Sequence, residues 1–204
     1  MIRKLLLVLI ISTFSLGVYS QNFDINLLRD INVNRNKSLD PTFKLITNSA
    51  SPLSFATPII IFSVGMLKKD CSLKQKGVYI GETLLGAAFI TTALKYSIKR
   101  DRPYVTYPFI EQETSAGSPS FPSGHTSTAF ATATSLSIAF PKWYVIAPSF
   151  LWATAVGYSR MDLGVHYPSD VLAGAIIGAG TAFLSYKING WISKRKNHEI
   201  SNIE

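Results

Sequence analysis

Charged side chains are scarce in this chain: only 16% of its 204 residues are Asp, Glu, Lys or Arg, against roughly 25% in an ordinary soluble domain. A soluble surface needs charge to stay dispersed, so the shortfall points toward lipid. One cysteine, Cys71, excludes an intramolecular disulfide and any cysteine-built zinc site. Carboxylates do not cluster either. Glu111 and Glu113 stand in an otherwise uncharged loop, without the companion acids that a metal centre needs, so no metal and no cofactor is expected. No repeat at a fixed period and no low-complexity stretch divides the chain, and its length suits one domain.

What is present is apolar sequence, 47% of the residues. Residues 1–20 open with Met-Ile-Arg-Lys and run into LLLVLIISTFSLGVYS, the pattern of either a cleaved secretory signal or a first transmembrane helix. Both send the next residues across the membrane. Residues 21–48 are polar, with Ile25, Leu28, Ile31 and Phe43 at roughly helical spacing, which predicts an amphipathic segment on the membrane surface. Residues 49–67, 126–141, 143–158 and 171–186 carry no charge, and 77–94 carries only Glu82. None has the polar face of a soluble surface helix. The expectation is an all-α, membrane-embedded helical bundle over residues 49–190 with five or six transmembrane helices, followed by a basic cytoplasmic tail over 191–204. Segments 126–141 and 143–158 have sixteen residues each. At a rise of ~1.5 Å they span ~24 Å of a ~30 Å hydrocarbon core, which keeps a soluble bundle as the competing reading.

The formal net charge of +8 suits either nucleic acid or membrane orientation. With a cytoplasmic N-terminus and alternating helices, the short cytoplasmic connections collect Lys68, Lys69, Lys74, Lys76 and Lys142. Basic residues on the other side fall mostly in the 21–48 segment or in the motifs below. That is positive-inside patterning, and it leaves no role for nucleic acid.

Three motifs carry chemistry. The first runs from Lys95 to Arg102-Pro103, two cations seven residues apart. A helix continuing to about residue 101 would set both on one face, suited to a tetrahedral dianion. The second is Pro122-Ser123-Gly124-His125 before an apolar run. Ser123 is an N-cap candidate, Gly124 allows close backbone approach, and a helix N-terminus attracts anions. His125 is placed there to protonate a leaving oxygen. The third runs Ser159-Arg160 to His166 and Asp170. Pro168 fits a first helical turn, and Asp170 is placed to fix the His166 tautomer. Each motif alone has a structural explanation as a flanking charge, a turn or a helix cap. Alternating helices, however, bring all three to one membrane face.

These motifs, in this order, resemble the signature of the type 2 phosphatidic acid phosphatase superfamily, over roughly residues 50–190. That superfamily also includes bacterial acid phosphatases and vanadium haloperoxidases. The resemblance implies His166 as a nucleophile forming a phosphohistidine, Asp170 as its partner and His125 as the acid. Lys95, Arg102, Ser123, Gly124 and Arg160 would hold the phosphoryl oxygens. The implied protein is a multi-pass phosphatase of a bacterial-type cell membrane, its active site at the extracytoplasmic helix ends. Its substrate would be a lipid phosphate or pyrophosphate such as undecaprenyl pyrophosphate, phosphatidate, phosphatidylglycerol phosphate or lipid A. A soluble periplasmic acid phosphatase and a vanadium-dependent haloperoxidase are the alternatives.

Overall fold

The computed structural model describes residues 23–201, with side chains described to residue 192 and at Arg195. The expectations for residues 1–20, and for most side chains of the basic tail, lie outside the described residues. The described chain is all-α, as expected. Helix α1 (residues 23–33) leads through a 3-10 turn, Lys37–Leu39, into α2 (Asp40–Leu67) and α3 (Cys71–Ile98). The short α4 (Pro103–Thr106) comes next, then α5 (Gly124–Ala139), α6 (Trp143–Asp162) and α7 (Pro168–Ser201).

Local chemistry sets the boundaries. Asp70 caps α3 by accepting from the Ser72 and Leu73 amides at 2.8 and 3.1 Å. The helix stops at Ile98 because Lys99 turns left-handed, φ 51°, with its amide bonded to the Lys95 carbonyl. The expected continuation to residue 101 therefore does not occur. Arg102 lies in extended backbone and begins α4. Pro168 occupies the first turn of α7, as its fixed φ favours. Helix α2 starts at Asp40, ahead of the uncharged run at residue 49.

Polarity across the bundle is inverted relative to a soluble protein. Helix α5 packs against α2, α3, α6 and α7. Its buried side chains are small or hydroxylic: Ala129, Ala131, Thr132, Ala133, Thr134 and Ser135. The hydroxyls bond locally, Thr132 to the Thr128 carbonyl at 2.9 Å and to Ser54 Oγ at 2.8 Å. Large apolar groups face outward instead, among them Phe89, Leu151 and Leu85 at 75, 73 and 71% exposure. Such an outer surface is at rest against hydrocarbon and unstable against water. Among the described residues three stretches, Lys37–Leu67, Cys71–Thr106 and Pro168–Ile192, are long and apolar enough to cross a membrane. The short α5 is the helix that the others enclose.

Helix α1 packs onto protein. Ile25 and Leu28 are buried with Ile110 and Tyr167, whereas Phe23 on the same helix is 69% exposed.

Helices α5 and α7 touch through glycines. A Cβ on Gly178 would stand 2.7 Å from the Ala131 amide nitrogen, and one on Gly174 would stand 2.6 Å from the Ser123 carbonyl oxygen. Small residues at such spacing let membrane helices approach closely. Gly178→Val is expected to force these helices apart and to cost ~1–3 kcal/mol or more, as overpacking does. Thermal unfolding in detergent checks this, with Gly180→Val as the control because nothing lies within 4 Å of that position.

Candidate active site

The C-terminal ends of α3 and α6 and the N-terminal ends of α5 and α7 meet at one end of the bundle, and the three sequence motifs sit there. His166 lies in the connection between α6 and α7 and is 2% exposed. Its Nδ1 is 3.4 Å from Asp170 Oδ2 and 3.5 Å from Ser120 Oγ, and its Nε2 is 3.3 Å from Arg102 Nη1. Burial pushes the imidazole down to about 3. Arg160 and Arg102 push the same way, and Asp170 opposes them. The ring is therefore neutral at ordinary pH. Inferred from this network, the proton is on Nδ1 toward the carboxylate, which leaves Nε2 unprotonated, its lone pair facing Arg102 Nη1.

Asp170, in the first turn of α7, is fully buried. Its Oδ2 accepts from the Tyr167 amide at 3.0 Å and from the Ser120 hydroxyl, and its Oδ1 accepts from Arg100 Nη1 at 2.7 Å. Its carbonyl accepts from the Ser123 amide at 3.0 Å, which joins the starts of α5 and α7.

The other anticipated residues surround this pair. Arg102 donates from Nε to the Ser118 carbonyl at 2.8 Å and from Nη1 to the Val165 carbonyl at 2.7 Å. Lys95 is buried near the end of α3, and its ammonium donates to the Pro119 carbonyl. Its Cε is 3.9 Å from where a Cβ on Gly124 would stand, so the cation lies beside the start of α5. Arg160 is 2% exposed and donates from Nη1 to Thr47 Oγ1 at 2.8 Å, while its buried Nε makes no hydrogen bond. His125 stands half-buried in the first turn of α5, where Arg160, Arg102 and Lys95 act on it electrostatically. Ser123 is the N-cap of α5 by position, yet its side chain makes no capping bond and instead accepts from Thr126 Oγ1 at 2.9 Å.

Sequence reasoning missed Arg100, Ser120 and Asp24. Arg100 stands within the first motif, hidden among its unspecified positions. Ser120 stands two residues before the second, but nothing in its surroundings marks it. Asp24 lies on α1, far from any motif. The loop whose acids had no companion carboxylates finds cations instead. Glu111 pairs with Arg35 and Lys37 at 2.9 Å each, and Glu113 pairs with Lys44 at 2.9 Å. These pairs fasten the loop that presents the Ser118 and Pro119 carbonyls. Among the described residues no three His, Cys, Asp or Glu side chains converge as metal ligands. A cavity of about 600 Å³ lies among Lys74, Lys76, Tyr79 and Tyr186, and none of the motif residues lines it.

The buried neutral histidine has a consequence for stability. The folded chain binds fewer protons at His166 than the unfolded chain does between pH ~6.5, the ordinary value, and the folded value of about 3. Stability is therefore full above the unfolded value and falls as the pH drops below it, by at most ~1.4 kcal/mol per unit from this group. Thermal unfolding of wild type and His166→Asn from pH 7 to 4 checks this, and the variant is expected to show the shallower decline.

The PAP2 superfamily model matches residues 76–194. A lipid A 1-phosphatase of Rhizobium etli is 32% identical over 115 residues, covering 53% of this chain and 48% of the relative. An undecaprenyl-diphosphatase of Sulfolobus acidocaldarius is 36% identical over 114 residues, covering 53% of this chain and 55% of the relative. These matches span about half the length of each relative. The crystal structure of a transmembrane PAP2 type phosphatidylglycerolphosphate phosphatase from Bacillus subtilis superposes with a TM-score of 0.70 at 25% identity. That superposition covers 85% of this chain and 88% of the other. With its outward apolar surface and its three long apolar helices, the chain is a multi-pass membrane protein.

Proposed function

Because the chain belongs to the PAP2 superfamily, we propose that it is a lipid phosphatase that hydrolyses a lipid phosphate or pyrophosphate without a metal, through a phosphohistidine. The observation that carries this reading is His166 itself. One ring nitrogen faces a buried carboxylate, and the other is an acceptor turned toward the Arg102 guanidinium at 3.3 Å.

The steps follow from these positions. A phosphate enters among Lys95, Arg102 and Arg160 and takes up the unpartnered Nε–H of Arg160, together with the amides at the uncapped start of α5. His166 Nε2 attacks phosphorus and the bond to the leaving oxygen breaks. His125, protonated in the field of the bound dianion, gives its proton to that oxygen. The cations stabilise charge on the three equatorial oxygens, which is most of what phosphoryl transfer requires. Neutral His125 then takes a proton from water as the water attacks the phosphohistidine. Phosphate leaves and His166 is restored.

Helices with apolar outer surfaces favour a site at the level of the headgroups, and a phosphate on a lipid anchor is then the natural substrate. The names of the relatives, a lipid A 1-phosphatase and an undecaprenyl-diphosphatase, support that class. Lys68, Lys69, Lys74, Lys76 and Lys142 cluster at the end away from the site, which favours a site facing the periplasm or exterior. The division into a leader or first helix (1–20), a surface segment (21–48), the bundle (49–190) and a basic tail (191–204) fits the same orientation.

Phosphate release by detergent-purified protein in EDTA, over lipid phosphates and soluble esters, tests this reading. His166→Ala is expected to lose about a thousandfold or more, and lipid substrates are expected to lead. Faster turnover of soluble esters would favour a soluble-type acid phosphatase, and equal rates in wild type and variant would overturn the reading.

The role of His125 has its own test. His125→Ala is expected to lose ~10²–10⁴-fold on lipid substrates, as removal of a general acid does. The loss should be much smaller on p-nitrophenyl phosphate, whose leaving group needs no proton. The pH profile on lipid substrate should be bell-shaped, with an acid limb near the His166 value of about 3, and the absence of an alkaline limb would count against the histidine pair.

A further inference from the structure

We propose that Arg100, anchored by Asp24 of α1, is the positioning residue that holds Asp170 against His166, which makes the helix preceding the bundle part of the catalytic apparatus. The inference rests on the phosphatase reading above. Neither residue touches the space beside His166 Nε2, so both act through Asp170.

The geometry is a continuous chain of bonds across four segments. Arg100 donates from Nη1 to Asp170 Oδ1 at 2.7 Å and to Ser169 Oγ at 2.7 Å, and from Nη2 to Asp24 Oδ2 at 2.8 Å. Its guanidinium carbon lies 3.8 Å from the centre of the Tyr167 ring, which fixes its plane. Its carbonyl accepts from the Ser120 amide at 2.8 Å, and the Ser120 hydroxyl donates to the other Asp170 oxygen. Arg100 thus holds the carboxylate once directly and once through Ser120. Asp24 is 5% exposed and caps α7 from outside, accepting from the Ser169 amide at 2.8 Å and from the Ser169 hydroxyl. One carboxylate therefore fixes both the guanidinium and the helix turn that carries Asp170. Lysine at position 100 could not fork onto two carboxylates in this way.

Arg100 differs from the other cations of the site in its partners. Lys95, Arg102 and Arg160 bond to carbonyls or a hydroxyl, whereas Arg100 bonds to two carboxylates. Its charge is already compensated, as a positioning group requires and a phosphate clamp does not. The groups facing the His166–Asp170 pair are Lys95 of α3, Arg100 and Arg102 beyond it, His125 of α5, Arg160 of α6, Asp24 of α1 and Tyr167 beside the pair. Loss of the Arg100 charge leaves Asp170 more negative toward the imidazole and makes His166 easier to protonate. Two unit charges in partly screened surroundings act on this scale by about one pH unit.

The test compares wild type, Arg100→Met, Arg100→Lys, Asp24→Asn, Arg100→Met/Asp24→Asn and His166→Ala. Hydrolysis of short-chain phosphatidate in detergent micelles is measured across pH, beside thermal unfolding and the His166 imidazole titration by histidine-labelled NMR. Arg100→Met is expected to lower kcat by ~10–100-fold, the range for partners that orient a reactive group. KM should change little. The acid limb of kcat/KM should move up by about one pH unit, and Arg100→Lys should restore the limb but only part of kcat. Asp24→Asn should cost less in the Arg100→Met background than alone. Lost thermal stability with an unmoved acid limb would overturn the proposal and leave Arg100 a merely structural ion pair. If His166→Ala hydrolyses as fast as wild type, the phosphatase reading has failed. The imidazole titration in Arg100→Met then decides the positioning role: an unmoved midpoint overturns it and an upward shift supports it.

Discussion

The buried carboxylate of Asp170 is the point on which the arrangement depends. Burying such a group costs several kcal/mol unless charges and hydrogen bonds answer it. Here a guanidinium, a hydroxyl and a backbone amide all do so, from the α3 end, the loop before α5 and the turn before α7. Those partners converge because the carboxylate must be satisfied, and their convergence fixes the four helix ends relative to one another. His166 sits beside the same oxygen as the amide and hydroxyl, so the geometry of the proposed nucleophile follows from the solution to a burial problem. Without Asp170, Arg100 would lose one of its two carboxylate partners and the imidazole its orienting acceptor.

Rigid helix ends need a bundle that does not slide, and the interior explains why this one holds. Apolar attraction cannot drive helices together in lipid as it does in water, so close contact and local hydrogen bonds must serve. Gly174 and Gly178 let α7 lie against α5, and alanines and hydroxyl residues fill the rest of that contact. Bulk is turned outward, where Phe89 and Leu85 meet the bilayer. The two helices in closest contact are those whose N-termini carry His125 and Asp170. Precision at the site therefore comes from small residues up to two turns away from it.

Much of this could be read from residue order alone. The apolar segments located the helices, and alternation of helix direction put the three motifs at one end. The motifs named eight residues, and all eight lie at one end of the bundle. The helix end at Ile98 was hidden because a lysine, not a glycine, takes the left-handed conformation that ends α3. Ser123 looked like a side-chain cap, but its hydroxyl is engaged by Thr126. Arg100, Ser120 and Asp24 could not be read because their roles exist only as long-range pairs. Asp24 and Ser169 are 145 positions apart, and Arg100 and Asp170 are 70. No local pattern encodes which of many polar residues will meet across such distances.

The same bonds sort the basic residues of the site into two kinds. A cation paired with carboxylates has its charge answered and can only hold position, as Arg35 holds the loop through Asp40 and Glu111. A cation held by carbonyls has its direction fixed and its charge left over, which is the condition of Lys95 and Arg102. Arg160 goes further, since its buried Nε–H has no acceptor at all. An unmade hydrogen bond on a buried charged group costs ~1–3 kcal/mol or more, and an arriving oxyanion removes that cost. On the proposed function, the energy stored in folding around unanswered cations would be returned when phosphate binds. In the proposed mechanism it would be returned most fully when charge spreads over the equatorial oxygens, so electrostatics left incomplete by the bundle would favour that transition state.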